Sequence, residues 1–113
     1  MAKVLRLSDI ARSKRPVYFN QQELRELLDV YSRRVMTGEW RDYAIDHDAG
    51  MAVFSIFRNT RDVPIFRIAK MAARGDAPPE YVVVSGYQKL KSASNLRDAL
   101  SVLAKRKTLE LVS

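Results

Sequence analysis

With 113 residues, a formal net charge of +7 and no cysteine, the chain fits one domain with one modest core, without a disulfide framework or thiolate metal cluster. No apolar run approaches the roughly 18 residues of a membrane span, and Lys3, Arg6, Arg12, Lys14 and Arg15 stand where a secretory signal needs an apolar stretch. A cytoplasmic protein is the expectation, with an Arg-rich, acid-poor mitochondrial presequence as the one targeting alternative.

Residues 1–15, MAKVLRLSDIARSKR, hold five bases against Asp9 and lack aromatics. They read as a flexible basic arm, and residues 16–113 as a single α+β domain. In VYFNQQELRELLDVYSRRVMTG, Asn20 is placed as N-cap and Glu23 three residues on as its capping-box partner. Phe19 and Leu24 take the staple positions, so a helix should begin at Gln21. Leu24, Leu27, Leu28, Tyr31 and Val35 form its apolar stripe, opposite Arg25, Glu26, Asp29, Ser32 and Arg33. Gly38 should end it in the left-handed conformation. Such a stripe serves either the core or a docking partner, and a domain this small needs it for the core.

After Gly38 the apolar period changes from 3.6 to 2, predicting strands in RDYAID, MAVFSIFR and PIFRIAKM. A two-residue turn after Asp48 sets Ile45 opposite Phe54 and Tyr43 opposite Ile56. A loop from Asn59 to Val63 sets Ile56 opposite Phe66 and Phe54 opposite Ile68. These six side chains form a core face. ARGDAPPE is a loop, YVVVS a strand, Gly86-Tyr87 a turn, and QKLK a returning strand with Leu90 inward. A second helix should start at Ser94 or Asn95, with Leu96, Ala99, Leu100 and Leu103 as its stripe and Lys105, Arg106 and Lys107 in its last turn. TLELV is a final edge strand or a tail. The order helix, four or five antiparallel strands, helix predicts a two-layer α+β sandwich with both helices on one face.

The stretch GEWRDYAIDHDAG holds the only Trp, Trp40, and the only His, His47, among the acids Glu39, Asp42, Asp46 and Asp48. In a strand, Asp46 and Asp48 point to one side and His47 to the other, so the three do not converge on a metal ion. Solvated acids at a hairpin tip are the expectation, with Trp40 as a lid over the helix end. No phosphate loop, dinucleotide fingerprint or nucleophile elbow is present, and one His does not supply the pairings of most hydrolytic sites. Neither an enzyme nor a bound cofactor or metal is expected, and no small-molecule substrate is evident.

The blocks RPVYFNQQELRELLDVYSRRVMTGEWRDYAID, AVFSIFR and PIFRIAK, with the closing hairpin and helix, resemble a small alphaproteobacterial family known as domain of unknown function twenty-seven ninety-four. YSRRV followed by GEWRDYAID is the most specific part. The family has no assigned activity, so the resemblance implies a bacterial cytoplasmic protein and brings no catalytic residues.

Two functional readings follow. The sheet face turned from the core would carry Ala44, Val53, Ser55, Phe57, Ile65, Arg67, Ala69, Tyr81, Val83 and Ser85. That face is too apolar to be left wet, which suggests a homodimer, another protein or cover by the arm. The interface residues would be Val53, Ser55, Phe57, Ile65, Arg67, Tyr81 and Val83. The alternative is a nucleic-acid-binding accessory protein, in which Lys3, Arg6, Arg12, Lys14, Arg15, Arg67, Lys70, Lys89 and Lys91 meet phosphates and Tyr87 stacks on a base. A continuous apolar patch would favour the first, a basic stripe the second.

Overall fold

The computed structural model describes residues 16–48, 50–59, 63–73 and 75–103. Helix α1 spans Gln21–Met36, as its start signal predicts. The Asn20 side chain accepts from the Glu23 amide at 2.8 Å, and the Glu23 carboxylate accepts from the Asn20 amide at 2.8 Å. Two first-turn amides are thereby satisfied. Asn20→Ala should cost about 1 kcal/mol, checked as a shift in the denaturant midpoint; an unchanged midpoint would show that the cap contributes nothing. At the other end Gly38 adopts φ +80. Its amide donates to Val35 O at 3.0 Å and the Glu39 amide to Arg34 O at 2.9 Å, a Schellman closure that needs the left-handed residue.

The buried stripe of α1 is rotated from the expected one. Leu27 is buried with Glu23 and Arg34, Leu24, Leu28, Val30 and Tyr31 pack partly against the core, and Val35 is exposed. The shift is possible because both buried charges have partners: Glu23 pairs with Lys70, and Arg34 with Glu39.

Five antiparallel strands follow in simple meander order: β1 Asp42–Asp48, β2 Met51–Phe57, β3 Phe66–Met71, β4 Glu80–Ser85 and β5 Gln88–Ala93. Pairing of Asp48 with Met51 leaves two residues in the first turn, where Gly50 takes φ +80. The same device recurs where Ser85 pairs with Gln88. Tyr43 and Ile45 pair with Ile56 and Phe54, which pair in turn with Phe66 and Ile68, as expected. Against β4, however, Ile68 faces Val83 and Lys70 faces Tyr81. The inner row of β4 is therefore Tyr81 and Val83, and its outer row is Val82 and Val84.

Helix α2 occupies residues 96–103. Asn95 caps it, accepting from the Asp98 amide at 2.8 Å. Leu96, Ala99, Leu100 and Leu103 are buried with Leu27, Trp40, Phe54, Ile56, Ile68, Tyr81 and Val83 in the main core. Both helices thus share a core with one face of the sheet, giving an α+β fold. The Arg34 guanidinium donates to Leu103 O, joining the end of α1 to α2. No described helix is long and apolar enough to cross a membrane. The Lys105, Arg106 and Lys107 cluster and TLELV lie outside the described residues.

Candidate interaction surfaces

Met51, Val53, Ala69, Met71, Val82 and Val84 form a second buried cluster, separate from the main core. Register accounts for it. Val53 pairs with Ala69 and Ala69 with Val82, while Met51 pairs with Met71, so all six lie on the outer face of the three central strands. Ser55 and Arg67 extend the same face: Ser55 pairs with Arg67, and Arg67 with Val84. Ser55 is buried. Phe57 lies half-buried at the strand end, opposite Asp42. The Arg67 guanidinium donates to Gly86 O at 3.4 Å, and burial lowers its proton affinity from the ordinary arginine value.

Of the seven expected interface residues, Val53, Ser55, Phe57 and Arg67 stand on this face. Tyr81 and Val83 do not: both are buried in the main core. Ile65 precedes β3 and packs against that core too. Met51, Met71, Val82 and Val84 were missed. Extending the predicted hairpin rows by one pair would have found the methionines; the β4 pair required its register.

Among the described residues, the basic candidates Arg67, Lys70, Lys89 and Lys91 do not converge into a stripe. Lys70 lies on the inner row, where its ammonium donates to Glu23 at 2.8 Å and to Tyr18 O at 3.0 Å. Lys89 pairs with Val84 and Lys91 with Val83, across a register shift. The two exposed lysines therefore flank opposite faces of edge strand β5, a placement that discourages edge pairing. Tyr87 is exposed at the tip of the same hairpin. Lys3, Arg6, Arg12, Lys14 and Arg15 lie outside the described residues.

The other edge strand, β1, carries the acidic stretch. Asp42 and Asp46 are exposed on its outer row, opposite Phe57 and Val53. His47 is on the inner row, its ring 4.5 Å from that of Tyr18. Among the described residues no three His, Cys, Asp or Glu side chains gather as metal ligands. Trp40 is buried rather than presented to a ligand: the Arg34 guanidinium lies 5.0 Å from its ring centre, with Tyr31 and Phe66 beside it.

Sequence reasoning read Glu23 only as a helix cap, yet it anchors a buried polar cluster. One carboxylate oxygen accepts from the Asn20 amide and the Lys70 ammonium, the other from the Tyr81 hydroxyl. Burial raises its pKa, but hydrogen bonds from Lys70, Tyr81 and Asn20 with the Lys70 charge outweigh it, leaving the carboxyl below its ordinary value. Burial and the adjacent carboxylate push the Tyr81 hydroxyl up. The three groups hold α1, β3 and β4 together in one charge state. Beside them a cleft of 420 Å³ is lined by Glu26, Pro79, Asn95 and Arg97 among others.

No curated protein and no solved structure matches the chain. Residues 17–100, running from the core residue Val17 through the whole sheet to Leu100 of α2, match the family model described as Protein of unknown function (DUF2794), and the chain belongs to that family.

Proposed function

We propose that the domain is a non-catalytic interaction module in the bacterial cytoplasm, working through the outer face of its sheet as a homodimer or a subunit of a larger assembly. One observation carries this reading: a continuous apolar cluster, Met51, Val53, Ala69, Met71, Val82 and Val84, lies on the face that neither helix uses. The six side chains are at most 9% exposed within the chain, so a partner meets this face at its margin rather than through their free surface. Phe57 stands at its margin, half-buried. Phe57→Asp should weaken self-association, or capture of the native partner, by about tenfold or more while the fold persists, because a carboxylate enters a desolvated contact. Light scattering over a concentration series and co-purification from the native host read this out. A folded Phe57→Asp protein with wild-type mass and wild-type partners would overturn the proposal.

The second reading, a nucleic-acid-binding accessory protein, draws on Tyr87, Lys89 and Lys91, all exposed on the hairpin of β4 and β5. Salt-sensitive, sub-micromolar DNA or RNA binding that disappears on deleting residues 1–15 would place it first.

A further inference from the structure

Helix α1 does not bury all of its apolar stripe. Leu24, Leu28, Tyr31 and Val35 follow at helical spacing along one flank. The first three pack only partly against the core, and Val35 is 39% exposed. The Tyr31 and Tyr43 ring centres lie 4.9 Å apart, which sets this flank beside the inner row of edge strand β1. On that row Tyr43 and Ile45 are themselves 38% and 36% exposed. β1 ends the strand order, so among the described residues no strand lies on its other side. The Tyr43 amide donates to the Asp42 carboxylate at 2.8 Å and thus points out from the edge; strand alternation turns the Ile45 and His47 amides the same way. The two edges of the sheet also differ in charge. β5 carries Lys89 and Lys91, which discourage pairing, whereas β1 has neither lysine nor proline. Its outer row instead carries Asp42 and Asp46, both exposed, in a chain of net charge +7.

We propose that β1 takes up an extended segment of another protein as a sixth strand, and that this segment alternates apolar residues with Lys or Arg. The site is separate from the outer-face cluster and does not rest on it. Charge decides between occupants. A second copy paired antiparallel through β1 brings two aspartate rows side by side, and like charges across a strand pair are destabilising. A segment with Lys or Arg on that row gains a cross-strand ion pair at each aspartate instead. Even counting Arg41 beside it, the outer rim of β1 remains net negative. The alternate residues of the segment fall on the inner side, where Tyr43, Ile45 and the α1 flank offer apolar contact. Main-chain hydrogen bonds along the edge supply affinity for any extended chain, and the alternating side chains supply the selectivity.

The probe is a labelled peptide of alternating lysine and valine, seven residues long to match β1, titrated against the full chain and followed by fluorescence anisotropy. It should bind, and amide hydrogen exchange should slow at Ile45 and His47 but not at Lys89 or Lys91. Asp42→Asn/Asp46→Asn should weaken binding about fivefold at low salt, and added salt should weaken it in the wild type. Ile45→Lys, which gives β1 the protection of β5, should weaken it about tenfold or more. A peptide of alternating glutamate and valine, and the lysine and valine peptide N-methylated throughout, should bind about tenfold more weakly or not at all. Equal binding by the methylated peptide, protection at β5 in place of β1, or indifference to Asp42→Asn/Asp46→Asn would overturn the proposal. So would a dimer that Ile45→Lys turns into a monomer by light scattering, which makes the occupant a second copy. Binding seen only once residues 1–15 are deleted would overturn it as well, because the chain itself then holds the edge. If Phe57→Asp leaves native association intact while the peptide still binds, the outer-face reading fails and the edge site stands; if Phe57→Asp breaks association and the peptide does not bind the wild type, the reverse holds.

Discussion

Val83→Asp should abolish the cooperative fold, with a loss of at least about 4 kcal/mol. Val83 is 0% exposed and faces Ile68 across the β3–β4 pair, in one cluster with Phe54, Ile56, Leu100 and Leu103. A carboxylate there loses its water and gains no cation, because the buried charges of this core, Glu23 and Arg34, are each held by their own partners. Total stabilities of small domains are about 5–15 kcal/mol, so a loss of this size leaves little folded protein. Circular dichroism of the purified variant is the measurement. A sharp thermal transition within about 2 kcal/mol of wild type would mean that Val83 lies on the outer face after all, and the β4 register would have to move by one residue.

Glu23→Ala should cost about 3–5 kcal/mol, well beyond the 1 kcal/mol of an ordinary cap. The Glu23 and Lys70 side chains are only 9% and 15% exposed, so removing the carboxylate leaves a nearly buried ammonium and the Tyr81 hydroxyl without their acceptor. Glu23→Leu/Lys70→Met should cost less than Glu23→Ala alone, since replacing both partners by apolar groups removes the uncompensated charge. A double variant as unstable as the single one would show that the loss comes from packing instead. The pH dependence gives an independent check. The folded-state pKa of Glu23 lies below its ordinary 4.5, so its stabilisation is present above 4.5 and is lost as pH falls through the lower folded value. Glu23→Ala should therefore flatten the acid limb of the stability curve. Tyr81 acts at the opposite end: its folded pKa is raised from 10.0, so its contribution is complete below that value and is lost as pH rises through the folded one.

Local chemistry determined the features that depend on residues close in the chain. The Asn20 and Glu23 box and the Gly38 closure join groups within about five positions, and the spacing alone specifies them; the second cap, left between Ser94 and Asn95 by the sequence, falls on Asn95. The first two hairpin registers were equally legible, because alternating Tyr43, Ile45, Phe54 and Ile56 permit one pairing that keeps these four on one face. That register also placed Val53, Ser55, Phe57 and Arg67 correctly on the outer face. The tertiary structure decided the rest. In YVVVS both faces are apolar, so no alternation marks which row is inner, and the length of the loop before it does not set its register; Tyr81 and Val83 exchanged places with Val82 and Val84 for that reason. The sequence marks Glu23 only as a capping-box partner and gives Arg34 no role; Lys70, Tyr81 and Leu103, all at least 47 positions away, supply the partners that let both be buried. Burial of an ionised group depends on such distant partners, and only the assembled fold brings them within hydrogen-bonding distance.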